Sequence, residues 1–269
     1  MSAYLKIYNN SRKTFAPIFQ KEIDKQVRAI VEGYTPPTKG LKDAIRKCHA
    51  SVGVLMAYRS HRDIMRSVKK GMTPQQVWQQ VILEYLDLHG LDHVTKEITQ
   101  TTIDDITGIL EKIGLNGWNI NQIVAHIESI GYSAYRGELI ARTETSKAAN
   151  TGAMVGALST GLDTRKEWIA VQDGRTRQVP RDQYDHFNMD GVQVGMDEYF
   201  HVPQRNGGFQ KMLHPGDPSG SAGDVCNCRC TIGFEALRDA NGKPIQRTSA
   251  PLGNAGILYN IIQSKNVFA

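Results

Sequence analysis

The sequence has no long apolar run. It contains no stretch of about 18 or more apolar residues, so we expect no transmembrane helix. The first residues, Met1 to Lys6, lack the basic and then apolar layout of a secretory signal peptide, and we therefore expect the protein to be made and kept in the cytoplasm of the producing cell. Its 269 residues, 40% of them hydrophobic and 22% charged, are typical of a soluble globular protein that buries a core.

Cysteine is also scarce. The chain has four cysteines, and three of them are crowded at Cys226, Cys228 and Cys230. Residues two apart in an extended strand lie about 6.6–7 Å apart, which exceeds the separation of about 3.5–4.5 Å between the Cβ atoms of a disulfide. A disulfide within this group would require a sharp local bend, so we expect reduced thiols.

Acidic residues are few at the start of the chain. Residues 1–70 contain 15 Lys and Arg against 5 Asp and Glu, a net charge of +10, whereas the remainder contains 17 against 22, a net charge of −5. A basic N-terminal part suggests an anionic partner, either double-stranded DNA or an acidic protein surface, and the alternative is a solvated basic helix face. The candidate contact residues are Arg12, Lys13, Lys21, Lys25 and Arg28.

The first half of the chain is patterned as helices. Residues 1–14 have no clear periodicity, and we expect a flexible arm that is ordered only on a partner. Apolar residues at helical spacing predict helices over residues 15–31 and 40–68. Capping patterns predict one helix that begins within residues 72–76 and another that begins at Asn119, and apolar spacing predicts a helix that starts at Asp92. We therefore expect a helical region over residues 15–131, basic at its start.

The second half predicts a mixed α+β module over residues 132–238. Residues 135–158 are patterned as one long helix, rich in the alanine and glycine that let another backbone approach closely, and we expect it to pack against a sheet. Short strands are predicted over residues 167–171, 191–194, 199–202 and 226–234, with a long loop over residues 203–224. Residues 239–269 form a weakly patterned tail that we expect to dock on a neighbour or to fray.

Most of the unusual polar residues lie between residues 142 and 230. In order they are Arg142-Thr143-Glu144, Trp168, Asp173, Arg175, Arg177, His186, Asp190-Gly191, Phe200, His214-Pro215 and Asn227-Cys228-Arg229-Cys230. This ordered set resembles the C-terminal domain of the phage Mu F-like family, which are minor head proteins of tailed phages, over residues 131–235. The resemblance does not extend to the helical N-terminal half.

The resemblance implies a low-copy structural protein of the phage head rather than an enzyme. It implies association with the portal protein and a role in head assembly and in genome packaging or delivery. Contacts with a major capsid or scaffolding protein, and with double-stranded DNA through the basic N-terminal region, would fit that role. The protein would then lie in the virion head near the portal, and in the host cytoplasm during assembly.

The polar residues have three interpretations. In the first, they form a structural network that holds irregular loops in place, in which arginine side chains bind carboxylates through two parallel hydrogen bonds. The residues of this predicted network are Arg142, Glu144, Trp168, Asp173, Arg175, Arg177, His186, Asn227 and Arg229.

In the second interpretation, His186, His214, Cys228 and Cys230 bind zinc, because these residue types are the ligands that zinc prefers. The spacing argues against it, since two sulfur ligands of one zinc ion lie about 3.8 Å apart, far closer than residues two apart in a straight strand. A bend in the chain, or one cysteine acting with both histidines, would remove this objection. Otherwise the cysteines pack in a core strand as small hydrophobic residues.

In the third interpretation, His186 and His214, near Asp185 and Asp217, act as acid and base, or a cysteine and a histidine form a nucleophile pair. The protein would then be a hydrolase or a metal-dependent nucleic-acid-processing enzyme that uses His186, His214 and Cys228 or Cys230. The sequence has no Gly-x-Ser-x-Gly elbow, phosphate-binding loop or His-Glu-x-x-His motif. We therefore assign no catalytic residue.

Overall fold

The computed structural model describes residues 2–66, 75–113, 118–251 and 253–265. Six helices come first: α1 (Ser2–Val31), α2 (Lys39–Met65), α3 (Gln75–His89), α4 (Leu91–Ile113), α5 (Ile120–Ser129) and α6 (Tyr132–Leu158). Five short strands follow: β1 (Thr164–Ile169), β2 (Gln193–Gly195), β3 (Phe200–Pro203), β4 (Phe209–Met212) and β5 (Thr231–Ala236). A short helix α7 (Ala222–Val225) precedes β5, and α8 (Gly253–Ser264) comes last. The predicted α+β fold class is confirmed.

Helix α1 begins at Ser2, which corrects the flexible arm expected over residues 1–14. Tyr4, Tyr8, Phe15 and Phe19 are all buried. Their spacings of four and seven residues place them on one face of a helix. The two tyrosines lie in an otherwise polar stretch, and their rings stack with centroids 6.1 Å apart. Aromatic burial therefore continues the helix to the start of the described chain.

Helix α6 packs against both α1 and α2. A Cβ atom added at Gly152 would overlap the backbone of α2 at Gly53, and one added at Gly156 would overlap the backbone at Ala57. The glycines of α6 therefore let two helix backbones come into direct contact. The small-residue pattern predicted the close approach of another backbone, but the partner expected there was a sheet and not a helix.

The local helix signals have mixed outcomes. The capping box predicted at Asn119 is confirmed, because the Asn119 side chain accepts a hydrogen bond from the Gln122 backbone and the Gln122 side chain accepts one from the Asn119 backbone. Helix α3 ends at His89, directly before Gly90. The helix start predicted at residues 72–74 lies outside the described residues.

Strands β2, β1 and β5 form an antiparallel sheet in that order, and Trp168 of β1 lies opposite Ile232 of β5. Strands β3 and β4 form a separate antiparallel pair. The strand predicted over residues 226–234 begins only at Thr231, because α7 and a turn with Asn227 at φ 59° occupy the preceding residues. The two cysteines before β5 therefore lie in a bent segment and not in a straight strand.

The C-terminal tail contains a helix that the sequence analysis missed. Helix α8 packs on α3 and α6 and buries Leu258, Ile261 and Ile262. Lys265 pairs with Glu84 of α3 at 3.1 Å. The tail therefore docks on its own chain.

One hydrophobic core joins the helices to the sheets. The division of the chain at residue 131 into a helical region and a second module therefore stays a prediction. None of the helices in the described ranges has an apolar stretch long enough to cross a bilayer.

Candidate functional site

The predicted polar residues separate into several groups instead of one network. The first is the Cys–His cluster, defined as His186, Cys228 and Cys230. His186 Nδ1 lies 3.6 Å from Cys228 Sγ and 3.7 Å from Cys230 Sγ, and the ligand atoms of the three residues all lie within 4.8 Å of one another. Each residue is at most 3% exposed. The bent segment before β5 brings the two sulfur atoms to the same imidazole.

Three contacts fix the orientation of the His186 ring. Its Nε2 lies 2.5 Å from Asp224 Oδ1, so the N–H group at this position donates a hydrogen bond to the carboxylate. The other ring nitrogen, Nδ1, faces the two sulfur atoms. Trp168 packs edge-on against the ring, with centroids 5.3 Å apart. The backbone N–H of His186 donates to the Arg177 carbonyl at 2.9 Å. Trp168 and His186, two members of the predicted network, therefore belong to the surroundings of the cysteines.

The surroundings of the cluster favour a thiolate at one cysteine. A hydrogen bond from Cys230 lowers the pKa of Cys228 well below its usual value, against the effect of burial, and the same contact raises the pKa of Cys230. Burial by itself lowers the pKa of His186, but Cys228 and the hydrogen bond to Asp224 outweigh it and raise the pKa to about 9. The Cys230 thiol and the His186 imidazole, which both contact the Cys228 sulfur, therefore favour a negative charge on that sulfur.

Asp173 and Arg229 form the ion pair that the structural interpretation predicted. The Arg229 guanidinium donates to both carboxylate oxygens of Asp173, at 2.5 and 2.6 Å. This bidentate bond lowers the pKa of Asp173 below its usual range. Arg175 is 3.8 Å from the same carboxylate and remains largely exposed. The pair connects the loop after β1 to the segment that carries the two cysteines.

Arg177 and Arg181 bind backbone carbonyl oxygens of the surrounding loops. Arg177 donates to the carbonyl of Cys226 at 2.5 Å. Arg181 donates to the carbonyls of Gly174 at 3.0 Å and Thr176 at 2.5 Å. Arg181 was not among the predicted residues, because nothing in a loop sequence shows which carbonyl groups lack a partner.

Helix α6 anchors the segment that carries the cysteines. Asn227 donates its backbone N–H to Thr143 of α6 at 3.0 Å. Asn150 of α6 donates to the carbonyl of Cys230 at 3.0 Å and accepts from the Thr231 hydroxyl at 3.0 Å. Asn150 was missed by the sequence analysis, in which it was one polar residue in a helix of small residues.

His214 lies outside the Cys–His cluster. Its ring is fully buried, with Nε2 3.4 Å from the Thr151 hydroxyl and Nδ1 3.0 Å from the Pro215 carbonyl, and burial lowers its pKa. Asp217 accepts a hydrogen bond from the backbone of Leu213 at 2.5 Å and so holds this loop. The structure thus groups three of the four predicted metal ligands.

Glu144 belongs to a separate buried group with His49 and Lys147. Its carboxylate oxygens lie 2.9 Å from His49 Nε2 and 3.0 Å from Lys147 Nζ. Burial by itself raises the pKa of Glu144, but Lys147 and His49 outweigh it and lower the pKa to about 2. The sequence analysis missed both partners, although Lys147 follows Glu144 at the helical spacing of three residues.

Arg142 and Arg12 both bind Glu138. Arg142 Nε donates to its carboxylate at 3.0 Å, and Arg12 of α1 forms an ion pair with the same oxygen. Arg142 therefore lies apart from the Asp173–Arg229 pair. Arg12 supports the contact between α1 and α6, and we leave it out of the proposed contact surface.

The other four basic candidates share one exposed face of α1. We define the basic stripe as Lys13, Lys21, Lys25 and Arg28, whose spacings of eight, four and three residues place them on one side of a helix. Lys13 and Lys21 have no ion pair in the described part of the chain, whereas Lys25 pairs with Glu22 of the same helix and Arg28 pairs with Glu32 just after its end. The stripe is therefore accessible to an anionic partner.

A cleft of about 400 Å³ lies between α4, α6 and residues 218–227. Its lining includes Glu144, Lys147, Val225 and Cys226 but neither His214 nor any member of the Cys–His cluster. Because Val225 of α7 lines the cleft while Asp224 binds His186, α7 separates the cluster from this opening.

Residues 107–233 match the family model described as Phage Mu protein F like protein. The match confirms the resemblance carried by the motif residues, and it begins within α4 and ends within β5. No curated protein and no solved structure gives a significant match to the chain.

Proposed function

We propose, from the match of residues 107–233 to the model described as Phage Mu protein F like protein, that the chain is a structural minor head protein that acts at the portal vertex. In this proposal the protein takes part in head assembly and in genome packaging or delivery. Its partners are the portal protein and a major capsid or scaffolding protein, and it resides in the virion.

The burial of the chemically reactive residues is the single observation that supports a structural role over a catalytic one. The Cys–His cluster is at most 3% exposed and His214 is fully buried. A substrate would have to displace α7 or the loops around these residues before it could reach them. Hydrogen bonds with Thr143 and Asn150 hold the segment that carries the cysteines to α6, which suits a rigid platform for neighbouring head proteins.

The first experiment locates the protein in the particle. We expect it to be present in purified virions and in head intermediates that contain the portal, and to cross-link to the portal protein. Its absence from both particles would contradict the proposal. DNA cleavage or hydrolysis by the purified protein that disappears in His186→Ala and His214→Ala variants, while both remain folded, would replace the structural role with an enzymatic one.

The basic stripe supports a second element of the proposal, contact with packaged double-stranded DNA. Such binding would be driven by phosphate contacts, and the logarithm of affinity would fall with the logarithm of salt by about 0.9 for each phosphate neutralised. Four basic side chains on one helix face therefore predict a slope of about −3 to −4.

The stripe is tested by reversing its charge. We expect Lys13→Glu, Lys21→Glu, Lys25→Glu and Arg28→Glu together to abolish duplex DNA binding in a fluorescence anisotropy titration at low salt. The matched control reverses four exposed lysines elsewhere, which are Lys96, Lys112, Lys211 and Lys243. Equal losses in the two variants would indicate an effect of net charge alone and would remove the stripe from the proposal.

A further inference from the structure

The Cys–His cluster has the internal spacing of a tetrahedral zinc site. With Zn–S near 2.3 Å and Zn–N of about 2.0–2.1 Å, the nitrogen and sulfur ligands of one ion lie about 3.6 Å apart. His186 Nδ1 lies 3.6 and 3.7 Å from the sulfur atoms of Cys228 and Cys230. Residues 228–230 precede β5, and the two sulfur atoms lie within 4.8 Å of each other, so the straight strand that argued against a zinc site is absent.

Two features of the surroundings suit a metal-bound imidazole and thiolate. Asp224 binds the Nε2 side of His186, which is the position a supporting carboxylate takes behind a metal-bound histidine. The indole N–H of Trp168 is buried and has no oxygen or nitrogen acceptor among the residues described, and it interacts instead with the Cys230 sulfur. A metal-bound thiolate would accept that hydrogen bond, as buried donors require.

We propose that His186 Nδ1, Cys228 Sγ and Cys230 Sγ bind one Zn²⁺ ion, with Asp224 orienting the imidazole. Three protein ligands leave one coordination position, and the burial of all three residues restricts it to a donor the size of water. His214 takes no part, because its nitrogen atoms face Thr151 and Pro215.

The ion would hold two irregular backbone segments together. It would join the loop that carries His186 to the segment before β5, and its binding free energy would add to the free energy of folding. Imidazole and thiolate together select zinc over magnesium or calcium, which prefer oxygen ligands. The site is thus a structural connection within the proposed head protein, but its existence does not depend on that function.

The test measures metal content in the full-length protein. We expect about one zinc per chain by inductively coupled plasma mass spectrometry, after purification under reducing conditions without a metal-affinity step. Removal of zinc by a chelator should lower the thermal midpoint by several degrees, and added zinc chloride should restore it. If reduced, metal-free protein takes up no zinc from zinc chloride, the proposal is overturned.

Matched cysteine variants locate the ion. Cys228→Ser and Cys230→Ser should each lose bound zinc, whereas Cys226→Ser, which changes an exposed thiol next to the cluster, should keep it. Asp224→Asn should weaken zinc affinity about 10- to 100-fold while keeping the stoichiometry at saturation. Full zinc retention in the Cys228→Ser and Cys230→Ser double variant would place the metal elsewhere and contradict the assignment.

Cobalt substitution keeps the test decisive even if these variants fail to fold. Co²⁺ added to the metal-free natural sequence should give thiolate-to-cobalt charge-transfer absorption with the intensity of two sulfur ligands, together with a tetrahedral visible spectrum. An octahedral spectrum without charge-transfer bands would overturn the proposal. Because these readouts use the isolated protein, their failure is distinct from failure to find the protein in phage heads.

Discussion

The contact between α2 and α6 and the loops between residues 170 and 230 are held together in different ways. In the helical contact, glycine backbones and apolar side chains meet directly, since helical N–H and C=O groups already bond within each helix. In the loops, Arg177, Arg181 and Arg229 bind carbonyl or carboxylate oxygens. Irregular backbone therefore needs side chains that hydrogen-bond its N–H and C=O groups, because these groups have no partners within a helix or a sheet.

The largest effect should come from adding volume between the helices. We expect Gly152→Val to lower the free energy of unfolding by about 3 kcal/mol or more, because its side chain would collide with the backbone at Gly53. The matched control is Gly108→Ala in α4, where an added Cβ meets open space and should raise stability by about 0.5–1 kcal/mol. Urea denaturation measures both, and equal effects would contradict close helix contact.

The next effect should appear in the pH dependence. Lys166 is fully buried and donates to the Leu213 carbonyl at 2.9 Å, and burial lowers its pKa to about 7. The unfolded chain therefore binds more protons than the folded one above pH 7, so this residue makes stability rise with pH, by about 2 kcal/mol between pH 7 and 9. We expect Lys166→Met to remove this rise and the exposed control Lys211→Met to keep it in denaturation series. Parallel curves for all three proteins would contradict a depressed pKa.

A smaller effect should follow from changing one arginine for lysine. Lysine cannot make the two parallel hydrogen bonds that Arg229 makes to Asp173, so we expect Arg229→Lys to cost about 1 kcal/mol of unfolding free energy in this partly exposed pair. The neighbouring Arg175→Lys, at an exposed side chain, should change stability by less than about 0.5 kcal/mol. If the two variants unfold at the same urea concentration, the bidentate bond contributes nothing measurable.

The smallest effect concerns the turn before the cysteines. Asn227 adopts φ 59°, a left-handed conformation that alanine tolerates poorly and glycine tolerates well. We expect Asn227→Ala to cost about 0.5–1 kcal/mol and Asn227→Gly to be nearly neutral in thermal denaturation. A Gly variant as unstable as the Ala variant would show that the exposed amide side chain, and not the backbone, matters here.

Regular elements were the most predictable from sequence, because their signals are local. The capping box at Asn119 and the small residues of α6 gave correct structural expectations. The start of α1 was missed because Tyr4 and Tyr8 count as polar in a sparse pattern, and their burial depends on packing within the fold. Helix α8 was also missed. Its apolar residues are buried because the helix packs on α3, and that packing is a property of the tertiary structure.

The polar site was predictable in its residue types but not in its grouping. Asp173 and Arg229, 56 positions apart, pair as the structural interpretation required. The proposed zinc ligands were named together with His214, which the fold places elsewhere. His49 and Asn150 gave no sequence signal, because each finds its partners on another element of the chain.

The sequence by itself determined the α+β class, the helical first half, the family resemblance and the chemical identity of the residues around the cysteines, since each is written in short-range pattern or composition. Only the tertiary structure decided which of those residues meet. The imidazole of His186 meets two sulfur atoms that follow a short helix over residues 222–225 and a turn at Asn227. This arrangement depends on the conformation of long loops, and the spacing of residues in the sequence does not determine that conformation.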